Sequence, residues 1–147
     1  MYRLLTLVIF VASSCLLSFQ AVAEGKKNAL EEFMVESSYQ RTICSAKALG
    51  AIAKVEMGQM DALSDIAKCR DEGRAELKKQ FPKARAMVAK PPSALKLLKE
   101  FYAASIAALD DMYPDLNLPK IDYGRRQGED SRKLDGLHNQ IEIEAGL

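Results

Sequence analysis

Two cysteines place the strongest constraint on how this chain folds. Cys44 and Cys69 are separated by 24 residues, SAKALGAIAKVEMGQMDALSDIAK, good helix formers with a break near Gly58. A turn over Glu56 to Met60 lies midway between the cysteines. In an antiparallel hairpin, residues equally far from the turn stand level. Each sulfur is then about 19 Å from the turn at 1.5 Å per residue. The spacing predicts a Cys44–Cys69 disulfide, provided that the chain meets an oxidising compartment. Closing a loop of this size is worth about 3.5 kcal/mol in the chain-entropy model. The total stability of a small domain is about 5–15 kcal/mol.

The compartment is read from the first residues, MYRLLTLVIFVASSCLLSFQAVAEGKK. Arg3 supplies a positive start and Leu4 to Phe19 is almost wholly apolar. Ala21-Val22-Ala23 places small residues where a signal peptidase reads, and Glu24 follows. This is the pattern of a secretory signal peptide over residues 1–23, leaving one mature domain over 24–147. The apolar run falls short of the ~20 residues that span a bilayer comfortably. The alternative is a lipid anchor at Cys15. Ala12-Ser13-Ser14-Cys15 is a poor lipoprotein box, and the following LLSFQAVA stays apolar where a lipoprotein turns polar. Loss of the signal removes Cys15 and leaves one pair of cysteines. The expected location is the periplasm of a Gram-negative envelope.

The mature chain of 124 residues is large enough for one core. Its Lys and Arg balance its Asp and Glu, because the signal carries a single basic residue and no acidic one. Neutrality gives no general argument for nucleic acid or for an anionic membrane. No second apolar segment could span a bilayer.

β-branched runs are absent, and steps of three and four recur along most of the chain. A first helix runs from about Asn28 to Glu56, with Leu30, Phe33, Met34, Ser37, Cys44, Ala48, Ile52 and Val55 inward. Asp61 is placed to cap a second helix that runs to about Gln80, with Leu63, Ile66, Ala67, Leu77 and Phe81 inward. Pro82 either kinks that helix or starts a new turn before Pro91-Pro92 stops it. The third helix, from about Ser93 to Tyr113, is the clearest. Leu98, Tyr102, Ser105, Leu109 and Met112 follow four-three-four-three spacing, and Pro114 ends it. A fourth runs from about Ile121 to Glu144 on Tyr123, Leu134, Leu137 and Ile141, weakened by Gly124, Gly128 and Gly136. Short links make neighbours antiparallel. The expected fold is all-α: a three- or four-helix bundle with a disulfide-stapled antiparallel helical hairpin.

Chemistry is sparse. There is no G-x-S-x-G, H-E-x-x-H, P-loop or G-x-G-x-x-G. His138, the single histidine, flanks the apolar face of the fourth helix. One imidazole and two distant cysteines do not make a structural zinc site, so no metal, cofactor or catalytic residue is expected. Acidic pairs such as Asp110-Asp111 read as solvated helix surface, and no cleft of convergent polar groups is anticipated.

Charge patterning points instead to binding. Lys68 to Lys90 carries eight basic and three acidic residues, Glu129 to Leu147 five acidic and two basic. The simplest account packs the fourth helix near the second so that the charges neutralise. The sharper one has Lys78 and Lys79 facing an anionic partner, with Arg125 and Arg126 adding to that surface. Met57 and Met60, at the hairpin tip, are candidates for an apolar contact patch. The functional expectation is a non-enzymatic periplasmic protein that acts by protein–protein binding. An inhibitor or immunity protein against an envelope-targeted toxin or lytic enzyme is one concrete form. A structural or scaffold component of an envelope assembly, including a homodimer, is one alternative. A small-ligand carrier is another.

Overall fold

A computed structural model describes residues 28–88, 90–116 and 120–146. The export segment and Cys15 lie outside the described residues. Four helices follow in order: α1 (Ala29–Glu56), α2 (Ala62–Met87), α3 (Pro92–Asp110) and α4 (Lys120–Ala145). The fold is all-α with antiparallel neighbours. α1 and α2 make the most extensive contact, followed by α3 with α4. The Cys44–Cys69 disulfide joins α1 to α2 across a Cα–Cα distance of 5.7 Å, inside the 4.4–6.8 Å that disulfides usually span.

Local chemistry accounts for most helix ends. Asn28 caps α1: its side-chain oxygen accepts from the Leu30 and Glu31 N–H groups at 3.0 and 2.9 Å. The Glu31 carboxylate accepts from the Asn28 N–H, completing a capping box. α1 stops at Gly58, whose φ of 84° favours a residue without Cβ. Asp61 does not cap α2 as expected. Its backbone is already helical and its side chain makes no cap bond. The chain enters α2 through a tight turn in which the Ser64 N–H donates to the Asp61 carbonyl. α2 also runs past Gln80. Pro82 sits inside the helix with its ring exposed, so one lost backbone bond does not end it. Pro92 starts α3 one residue early, at the position where a missing N–H costs least.

The core is one main cluster with a satellite near the hairpin turn. Leu30, Phe33, Leu77, Leu98, Leu109, Leu134 and Ile141 are its largest closed side chains, with both cysteines among them. Phe101, rather than Tyr102, is the more deeply buried ring of α3. Ser37 of α1 and Ser105 of α3 are fully buried and satisfy each other. Ser37 Oγ donates to Ser105 Oγ at 2.8 Å, and Ser105 Oγ donates to the Phe101 carbonyl. Gly73 lets α2 approach closely, since a Cβ there would meet Leu109 Cδ1 at 3.2 Å.

The fourth helix is not where the charge pattern put it. α4 packs against α3 and is bonded to α1 through side chains. The ion pairs of the basic α2 segment run to Asp71, Glu72 and Glu76 of α2 and to Asp110 of α3. Exposed ion pairs are worth at most about 1 kcal/mol. Burial of Leu134 and Ile141 outweighs that, so apolar packing sets the position of α4.

Gly124, Gly128 and Gly136 have open space where a Cβ would sit. Gly136→Ala is expected to raise stability by about 0.5–1 kcal/mol through helix propensity. Urea unfolding of the two proteins checks this, and unchanged midpoints would contradict it.

Candidate binding surfaces

Three regions of the bundle are candidate binding surfaces: its hairpin end, the open seam between α1 and α4, and the basic α2 face.

At the hairpin end, the α1 C-terminus, the α2 N-terminus and the α3–α4 link come together. Met57 and Met60 are 68% and 54% exposed at the turn. Leu116 and Ile121 on the neighbouring link and helix start are also exposed, Ile121 to 80%. A depression of about 180 Å³ at this end is lined by Ile52, Val55, Pro114, Leu116 and Tyr123 together with the carboxylates Glu56 and Asp115. Tyr123 holds this end together. Its ring packs with Ala48, Ala51, Ala62 and Ile66, and its hydroxyl donates to the Met112 carbonyl at 2.8 Å. Burial pushes its pKa up to about 12, so the hydroxyl stays a donor at physiological pH.

The second region is a seam that does not close. Along it, α1 and α4 stand apart and leave a groove of about 490 Å³ near the middle of α1 and one of about 440 Å³ beside it. Arg41, Ser38, Thr42 and Asp135 line both. Arg41 Nη1 donates to Ser131 Oγ at 3.3 Å, and Ser45 Oγ donates to Gln127 Oε1 at 2.7 Å. Arg41 Nε and Gln127 Nε2 are buried donors with no hydrogen-bond partner among the described residues. Burial pulls the Arg41 guanidinium below its ordinary value, with Asp135 and Asp130 pulling the other way. Burial, then Asp111, raises the Asp130 carboxyl, which Lys133 and Arg41 oppose.

This groove corrects the expectation that no cleft gathers polar groups. Ser38, Arg41 and Ser45 recur at helical spacing on α1, as Gln127, Ser131 and Asp135 do on α4. That polar edge beside an apolar face was the available signal. The bonded hydroxyls serve structure: Ser45 donates to an amide and Ser131 accepts from a guanidinium. His138 lies at the far end of the seam, its ring 6.4 Å from Phe101 and its Nε2 3.3 Å from Glu142. It is a boundary residue, as its flanking position predicts. Among the described residues, no group of three His, Cys, Asp or Glu is placed to hold a metal ion.

The raised Asp130 pKa has a consequence for stability. The folded state disfavours the ionised form, so the cost is absent below the ordinary aspartate range. It accrues as pH rises from the ordinary aspartate range to the raised folded value and is complete above it. Asp130→Asn is expected to raise the melting temperature slightly at about pH 7 and to leave it unchanged at about pH 3. Melts at both pH values check the sign.

The candidate partner-binding residues do not form one patch. Lys78 and Lys79 are exposed on α2, and Lys79 pairs with Glu76 at 3.2 Å. They stand about 27 Å along α2 from Met60 at 1.5 Å per residue. Arg125 and Arg126 are exposed near the hairpin end. Arg125 is engaged by Glu129 at 2.9 Å and by Asp122 at 3.5 Å, which raise its pKa. Met57 and Met60 therefore share an end of the bundle with the two arginines, and the lysines belong to another face. No helix among the described residues is long and apolar enough to cross a membrane.

Comparison with protein-family models, with curated proteins and with solved structures returned no match.

Proposed function

We propose that the mature chain is a non-enzymatic periplasmic protein that binds another protein through the apolar end of its stapled hairpin. An inhibitor or immunity protein for an envelope-targeted toxin or lytic enzyme is the concrete form. The observation that carries this reading is the exposure of Met57 and Met60 at the end of a disulfide-tied pair of helices, the same end at which Leu116 and Ile121 are exposed. Thioethers adapt to an opposing apolar surface. A platform already rigid before contact loses little freedom on binding, so more of the contact energy appears as affinity. The disulfide fits the oxidising space to which residues 1–23 would deliver the chain. The carrier alternative draws less support, because the two volumes along the seam are open grooves. The scaffold alternative is favoured by one further feature, the outer face of α1.

The test is capture from the envelope fraction on immobilised mature protein, compared with a Met57→Asp/Met60→Asp variant. Both methionines are exposed, so the variant is expected to fold and melt like the parent. Loss of the captured protein in the variant supports the reading, and equal capture contradicts it. Lys78→Glu/Lys79→Glu provides the second arm. A loss there with the methionine variant unaffected would move the contact to the basic face of α2.

A further inference from the structure

The outer face of α1 is apolar where the outer faces of the other helices are mostly charged. Opposite its buried residues run Val35, Tyr39, Thr42, Ala46 and Leu49, spaced four, three, four and three, and all are exposed. Val35, Tyr39 and Leu49 are 49%, 57% and 60% exposed. This is the spacing of a coiled-coil seam, sustained over about 21 Å at 1.5 Å per residue. A helix with apolar residues on opposite faces is one whose second face is covered.

We propose that a second copy of this chain covers it. α1 of one copy lies antiparallel on α1 of the other, with Thr42 at the two-fold axis. Three observations select this occupant and this direction. First, the crest is balanced about Thr42. Val35 lies seven residues before it and Leu49 seven after, so a two-fold axis sets Val35 of one copy against Leu49 of the other. A closed two-fold contact needs such self-complementarity. Second, the charges of α1 that flank this crest divide at the same point, Arg41 being turned to Ser131 of α4 and Glu56 closing the helix. Glu31, Glu32 and Glu36 precede Thr42, and Lys47 and Lys54 follow it. Antiparallel pairing places Glu36 opposite Lys47 within one residue, and brings Glu31 and Glu32 level with Lys54 within two. At 100° per residue Glu36 and Lys47 share a flank of the helix, and a two-fold across the helices keeps that flank in register. Parallel pairing would set glutamate level with glutamate and lysine level with lysine. Third, there is room for the opposing side chains. Thr42 and Leu49 line one groove beside the crest and Val35 and Tyr39 line the other.

This surface is separate from the hairpin tip, so either proposal can fail alone. The mature protein is expected to sediment as a dimer at about 100 μM and to dissociate on dilution, as a contact of modest size does. Glu36→Lys and Lys47→Glu each create like-charge contacts at two symmetric places and are expected to weaken the dimer about tenfold. The double variant Glu36→Lys/Lys47→Glu restores the opposite-charge pairs and is expected to recover the parental affinity. Direction is read by cross-linking. A mixture of Val35→Cys and Leu49→Cys chains should yield a mixed disulfide on mild oxidation, in preference to Val35→Cys homodimers. A monomer at all concentrations would overturn the proposal. So would charge variants without effect, or Val35→Cys chains that link mainly to themselves. Met57→Asp/Met60→Asp should leave the dimer unchanged.

Discussion

Replacing both Cys44 and Cys69 by alanine is expected to lower stability by about 3.5 kcal/mol. For a domain of this size that corresponds to a fall in melting temperature of about 10–15 °C. The disulfide lies in the main core, with both residues buried, and ties together the two helices with the most extensive contact. Cross-linking across 24 residues restricts the unfolded chain far more than the folded one. Reduction of the parent protein should reproduce most of the fall. The single variant Cys44→Ala should show it too, with a free Cys69 thiol left behind. Calorimetric melts with and without reductant are the measurement, and coincident transitions would remove the staple from the account.

Phe33→Ala is expected to cost about 3–5 kcal/mol, as truncation of a buried aromatic ring does. Phe33 is fully buried on α1, and its ring meets those of Phe81 on α2 and Phe101 on α3, each at 5.9 Å, and Tyr102 at 6.3 Å. One side chain therefore joins three helices, while Phe81 and Tyr102 stack at 4.4 Å beside it. Alanine would leave a void that three separate helices cannot all close. Phe33→Leu fills most of that volume and should cost about 1 kcal/mol. Denaturant unfolding separates the two variants, and equal midpoints would show that this contact does not organise the core.

Sequence and fold agree where a local rule decides. Gly58, Pro91-Pro92 and Pro114 punctuate the chain, and the helices between them obey their own periodicity. The level placement of Cys44 and Cys69 needed only the turn position and a fixed rise per residue. Disagreement arises where the answer depends on how helices are rotated against each other. The open α1–α4 seam is invisible in either helix alone, and the convergence of Arg41, Gln127 and Asp130 depends on it. The charge pattern favoured α4 beside α2, but solvent-exposed charges are too weak to outweigh the apolar face carrying Leu134 and Ile141. Asp61 had the right side chain for a cap and the wrong backbone, since a cap needs an extended residue and this one is helical. The exposed stripe of α1 is masked in the sequence because one buried face already accounts for that helix's periodicity.

We propose that this chain is delivered to an oxidising space, where one disulfide ties its first two helices into a rigid hairpin. Intact-mass analysis of the protein recovered from the cell envelope under non-reducing conditions tests it most directly. The expected result is a chain beginning at Glu24, two hydrogens lighter than its reduced form and carrying no lipid. A full-length cytosolic chain with Cys44 and Cys69 both open to alkylation would contradict it.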